Sequence, residues 1–190
     1  MAADLLDQKT AAQLRAAPYS YPEIGATRQD RLPAGYRTDR FTVVAGHGRQ
    51  RFDEVVELLF SWQLQARSGL RVRADRPRVE RGAVAMATLS IGPLAIRTRC
   101  RVVYRIDEED RRGYAYGTLR GHPERGEEQF VVDIDDDQVV RLRLCSFSRS
   151  DSLLARLGGP ISRQVQLGVN RRYLDVVAEP DAPVEHRTGR

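Results

Sequence analysis

The densest run of chemistry-bearing side chains is Gly113-Tyr114-Ala115-Tyr116-Gly117-Thr118-Leu119-Arg120-Gly121-His122-Pro123-Glu124-Arg125-Gly126-Glu127-Glu128-Gln129-Phe130. His122 sits between a glycine and a proline, whose backbones favour a tight bend, so it stands at the tip of a hairpin. Beyond the bend, alternation with a period of two puts Glu128 on the face of Phe130, Val132 and Ile134. Glu127 shares the other face with Gln129 and Asp133. A carboxyl turned to an apolar face has its pKa raised by desolvation, which makes Glu128 the better candidate acid of the two. Tyr114, Tyr116 and Thr118 share one face of the partner strand, and Tyr104 belongs to the inward set of the strand before it. A carboxyl, phenols and an imidazole around an apolar pocket can act as general acid and base on a polarised small molecule. His122 and Glu128 would carry protons, with Tyr104, Tyr114, Tyr116 and Thr118 as ligand contacts. Taken singly, each is explained better by a turn or an ion pair than by catalysis, and only the density of the motif argues for a site.

Other candidates are less dense. Gln166 lies beside Val165 and Val169 on a C-terminal helix, where it can orient a ligand or satisfy strand carbonyls. Gly46-His47-Gly48 precedes a helix whose first amides could hold an anion, but without a parallel crossover it is no dinucleotide fingerprint, and a loop-to-helix turn explains it better. His47, His122 and His186 are scattered and the two cysteines, Cys100 and Cys145, have no zinc spacing, so no metal or cofactor is expected. The cysteines read as buried reduced thiols.

The elements that must position these groups follow from the pattern. The 190 residues are 41% hydrophobic and 30% charged, enough for a core and against wholesale disorder. No stretch reaches the ~20 apolar residues of a membrane helix, and Asp4 and Asp7 occupy the place of a signal's basic residues; a cytoplasmic protein is expected. The net charge of +5 comes almost wholly from arginine, Lys9 being the single lysine. Residues 1–17 read as a short helix, followed by an irregular stretch to residue 35. Phe41–Val44 is a short strand, and 50–68 an amphipathic helix with Phe52, Val55, Val56, Leu59, Phe60 and Gln63 on one stripe. From Leu70 to Phe147 the period becomes two. In 96–106, Ile96, Thr98, Cys100, Val102, Tyr104 and Ile106 point one way and Arg97, Arg99, Arg101 and Arg105 the other. That arginine row could meet nucleic acid, but with no interleaved aromatics a solvated sheet face is the preferred reading. Pro160 is well placed to start a final helix to about residue 178, and 179–190 read as a frayed tail. An antiparallel meander with one apolar face needs a cover, and the final helix is the long element left to supply it. The expected organisation is an N-terminal helix and irregular segment over 1–35, one domain over 36–178, and the tail.

The segment 113–130 resembles the signature of an uncharacterised family known as domain of unknown function nineteen-ninety, found in bacteria and plants. Tyr21 with Gly25, Gly35-Tyr36, Gly46-x-Gly48-x3-Phe52, Trp62, Ser146-Phe147-Ser148-Arg149, and Arg163-x2-Gln166 ahead of Tyr173 support it, over roughly 18–178. Ser150-Asp151 departs from the proline that members often carry there, so the connection to the final helix is expected to differ. The resemblance implies an α+β helix-grip fold, similar to the START and birch-allergen superfamily: a curved antiparallel sheet of about six to seven strands round a long C-terminal helix. It implies no reaction. The functional expectation is a cavity binding a small, largely apolar molecule, with cofactor-independent acid–base chemistry (cyclisation, dehydration or hydrolysis) on it. Alternatives are a non-catalytic carrier or sensor with the same pocket, and an arginine face meeting nucleic acid or an acidic partner. Nothing in the sequence sets an oligomeric state.

Overall fold

Why the chain folds as it does is clearest at its two switches of period. The computed structural model describes residues 3–92, 94–150 and 159–189. The period-two region becomes a meander: β3 (Arg71–Ala74), β4 (Val84–Ile91), β5 (Leu94–Asp107), β6 (Arg111–Thr118), β7 (Glu124–Ile134) and β8 (Val139–Ser150). Each pairs antiparallel with the next. β2 (Arg37–His47) closes against β8, longer than the expected 41–44 because its pairing continues from Arg37↔Ser148 to His47↔Val139. Two further strands exceed the expected six to seven. The two-residue β1 (Asp4–Leu5) pairs parallel with β3 at one edge, and β9 (Glu185–Gly189) pairs with β2 at the other. Among the described residues the sheet thus has nine strands, ordered β1-β3-β4-β5-β6-β7-β8-β2-β9. Part of the expected frayed tail is therefore an edge strand, recruited because His186 stacks on Phe41 with ring centroids 3.9 Å apart.

The concave face holds the helices. α2 (Arg49–Phe60) lies across β2, β6 and β7, buries Phe52, Val55, Val56, Leu59 and Phe60, and is followed by α3 (Gln63–Arg67). The single helix expected over 50–68 is broken at Trp62, whose backbone is left-handed with φ 62°. That break rotates the following turn, so Gln65 is buried where the continuous stripe had pointed to Gln63. Gly69, with φ 85°, ends α3 in a conformation that glycine adopts without strain. α4 (Gly159–Asp175) begins one residue before Pro160 and buries Tyr173 and Leu174 in the same core. Fully buried side chains such as Phe130, Leu142 and Leu144 each contribute about 1.5–3 kcal/mol by leaving water. The junction at Asp151 lies outside the described residues.

The convex face is covered too. α1 (Gln8–Ala16) is capped by the Asp7 carboxylate, which accepts from the Thr10 N–H at 2.8 Å. It packs Leu14 and Ala11 with Leu6 on Val84 and Leu119, while Tyr21, Ala26 and Tyr36 close on Phe147. Gly117 is required for this approach: a Cβ there would stand 2.2 Å from the Tyr21 hydroxyl oxygen.

One residue breaks the sheet's parity. The β5–β6 register jumps between Val102 and Tyr104, leaving Val103 bulged. A bulge reverses which face the following side chains take. Tyr104 therefore turns to the convex face, and Arg105, expected outside, turns inward over the Phe60 ring at 4.0 Å. Arg101 remains outside but caps α1, donating to the carbonyls of Leu14 and Arg15 at 2.8 Å. Of the expected arginine row, Arg97 and Arg99 stand exposed.

A candidate small-molecule site

Between the concave sheet and α3–α4 lies a cavity of about 460 Å3. Its apolar wall comes from Trp62, Leu70, Val72, Leu89, Val165 and Val169. Volumes of ~300–1,000 Å3 with mostly apolar walls and a few polar groups are what small-molecule sites require.

The polar groups are placed by sheet register. Glu128 on β7 sits between Tyr116 on β6 and Ser146 on β8, both as direct pairs, so the three side chains share the concave face. The Tyr116 hydroxyl donates to Glu128 Oε2 at 2.5 Å. Burial pushes the Glu128 carboxyl up to about 7, although the Tyr116 hydrogen bond pulls the other way. Burial also raises the Tyr116 and Tyr173 phenols well above their ordinary range, with the nearby Glu128 charge adding to it. Cys100, also on the wall, is pushed up by burial to about 12, so it remains a thiol. Near neutral pH this site holds a carboxyl poised between acid and base, next to a phenol that stays protonated.

Glu127, one residue earlier, faces the opposite way and is 3% exposed. Its Oε2 accepts from the Tyr21 hydroxyl and the Gly25 N–H, both at 2.7 Å, and its Oε1 from the Thr27 N–H at 3.0 Å and the Thr27 hydroxyl. A carboxylate with four donors anchors the N-terminal segment to the sheet. Tyr21 and Gly25 thus have a structural reason to stand where they do.

The remaining candidates divide. His122 lines the cavity at its hairpin end, where its Nδ1 accepts from the Glu124 N–H at 3.0 Å. Thr118 also lines it, but its hydroxyl accepts from the Gly126 N–H at 2.9 Å and lies 2.6 Å from Ser20 Oγ. Gln166 is on the wall with both amide atoms engaged, accepting from Arg37 at 3.0 Å and donating to Ser148 at 3.2 Å. Tyr104 does not reach the cavity. Its hydroxyl bonds Thr27 and Gln129 on the convex face, where the bulge at Val103 turns it. Tyr114 faces inward but lies beneath the wall, stacked on Phe130 at 5.5 Å and accepting from Gln65 Nε2 at 2.7 Å. Sequence reasoning missed Gln65 and Asn170, which line the cavity while 4% and 2% exposed. Polar residues on an otherwise apolar helical stripe were the available signal for Asn170, three residues before Tyr173. For Gln65 the helix break concealed it. His47, expected at a loop-to-helix turn, is exposed with Nδ1 3.3 Å from Glu179. Among the described residues no cluster of three potential metal ligands occurs, and no helix is long and apolar enough to cross a membrane.

Known proteins place the fold and the lineage. A Deinococcus radiodurans protein described as a UPF0548 protein is 32% identical over 172 residues, covering 85% of this chain and 87% of its own. UPF0548 protein At2g17695 of Arabidopsis thaliana is 28% identical over 66% of this chain and 64% of its own. Among solved structures, hypothetical protein jhp0584 from Helicobacter pylori superposes with a TM-score of 0.59 at 12% identity, over 85% of this chain and 94% of that one, a likeness of fold. With its signature segment spread over β6, the hairpin and β7, and a family model matching residues 20–176, the chain belongs to the family described as Domain of unknown function (DUF1990).

Proposed function

We propose that the protein binds a small, largely apolar molecule in the cavity between the sheet and α4, and holds it as a carrier or sensor. The observation that carries this reading is the cavity itself. About 460 Å3 lined by Leu70, Val72, Leu89, Val165 and Val169 is apolar space that a filled core would not leave, since interiors otherwise pack as densely as organic crystals. The helix-grip arrangement supports it by holding the walls on rigid elements. The test is to extract the purified protein and identify co-purified small molecules by mass spectrometry, beside an Ala87→Trp variant that fills the cavity from its wall. A molecule recovered from the wild type and lost from the variant is expected; identical extracts from both would overturn the reading.

One observation favours a second reading. A carboxyl with a pKa of about 7, hydrogen-bonded to a phenol in an apolar site, suits general acid–base catalysis on the bound molecule. Cyclisation, dehydration or hydrolysis without a cofactor would fit, with Glu128 moving the proton and His122 at the hairpin end assisting. If the recovered molecule is turned over by the wild type, Glu128→Gln should abolish turnover while retaining binding. Recovery of unaltered ligand with no turnover would leave the carrier reading alone.

A further inference from the structure

One acid on the cavity wall lacks a counterpart. Glu128 lines the wall and keeps part of its surface open to the cavity, whereas Glu127 on the opposite face is buried. Its Oε2 accepts from the Tyr116 hydroxyl, and among the described residues no donor or cation reaches Oε1. The other acids nearby are matched. Glu124 stands 3.6 Å from Arg37, Glu127 has its donors on the convex face, and Asp39 is paired with Arg163. Among the described residues no arginine or lysine lines the cavity, so an ionised Glu128 has no counter-charge inside it. A carboxylate on an apolar wall is costly unless a cation meets it. An anionic ligand would meet a like charge there, and an uncharged one would leave the carboxylate unpaired. Trp62, Tyr116 and Tyr173 line the same space, and aromatic rings attract cations.

Resting on the carrier reading above, we infer that the ligand is an apolar molecule carrying one amine. Its ammonium N–H donates to Glu128 Oε1 while Oε2 keeps the Tyr116 hydroxyl. An alkylamine, like a lysine, stays protonated to about pH 10, so Glu128 is the group that must ionise for the pair to form. With the carboxyl at about 7, roughly a tenth is ionised at pH 6 and nine-tenths at pH 8. The groups facing Glu128 from neighbouring elements do not mimic this change. Burial keeps Tyr116, Tyr173 and Cys100 protonated, and Asp39 and Arg163 hold each other charged. His122 also lines the wall, and histidines titrate in this range, so it is removed separately.

Trp62 is the single tryptophan of the chain and lines the cavity, so its fluorescence reports occupancy. The full chain is titrated with octylamine, 1-octanol and octanoate at pH 6 and pH 8. Octylamine is expected to bind at least tenfold more tightly than the other two at pH 8. Its affinity should rise about tenfold from pH 6 to pH 8, while that of 1-octanol should fall. In Glu128→Gln the preference for octylamine and its rise with pH should both vanish, with 1-octanol still bound. In His122→Gln both should persist, which keeps the test decisive if Glu128→Gln fails to fold. Equal binding of the three probes, tightest binding of 1-octanol or octanoate, or a pH rise that survives Glu128→Gln overturns the inference while the cavity reading survives. No response of Trp62 to any probe overturns the cavity reading and the inference with it.

Discussion

Replacing Glu128 by glutamine should make the protein more stable above neutral pH, the reverse of what loss of a charged group on a folded surface does. Glutamine retains an oxygen to accept from the Tyr116 hydroxyl, so the change isolates ionisation. The carboxyl moves from an ordinary 4.5 when unfolded to about 7 when folded, because burial disfavours its charged form. A group raised in the folded state leaves stability intact below the unfolded value and erodes it as pH climbs through the folded one. At ~1.4 kcal/mol per unit, the wild type should lose about 3 kcal/mol between pH 4.5 and pH 8 on account of this residue. Glu128→Gln lacks that loss. Urea unfolding at a series of pH values, read as the difference in free energy between variant and wild type, should be near zero at pH 4.5. It should rise to about 3 kcal/mol in favour of the variant by pH 8. A flat difference, or one favouring the wild type at high pH, would refute the burial of Glu128 in the cavity wall. The same carboxyl should then couple binding to pH: a neutral ligand displacing water around Glu128 is expected to bind more tightly below pH 7 than above it.

Glu127→Ala should cost about 3 kcal/mol in thermal or urea unfolding, because it strands the buried donors of Tyr21, Gly25 and Thr27, yet leave the Trp62 response to cavity probes unchanged. Gly117→Ala should cost about 1–3 kcal/mol through its clash with Tyr21, and distinctly less in a Tyr21→Ala background; additive costs in the double-mutant cycle would contradict the contact. Burial alone would raise the Asp39 carboxyl, but hydrogen bonds from Arg163 at 2.5 and 2.7 Å and from His186 outweigh it and hold the group below its ordinary value. Asp39 therefore contributes stability that is present above the ordinary carboxylate range and lost as pH falls through the lowered value. Asp39→Asn should destabilise by about 2–3 kcal/mol at pH 7, with the difference from wild type closing below pH 4 in urea titrations.

The carboxyl at the centre of the site was legible without coordinates. Side chains on a strand alternate strictly, so Phe130, Val132 and Ile134 were sufficient to turn Glu128 inward and Glu127 outward, and both lie as that rule requires. The meander and the helices at both of its ends were readable for the same reason: their periods are local. Tyr104 shows where local reasoning stops. The bulge at Val103 leaves no mark in composition, since it is a property of two strands in register, and it reversed the face of every β5 residue after it. Gln65 was hidden in the same way by the left-handed turn at Trp62. Glu127 finds its donors about 100 residues earlier in the chain, on a segment whose own pattern is irregular. By itself the sequence determined which residues are apolar, where the period changes, and which carboxyl faces inward. Only the tertiary structure decided that a space remains between sheet and helix, and that Gln65 and Asn170 come to line it. Packing is a sum over elements distant in sequence, and a void is the part of that sum no single element encodes.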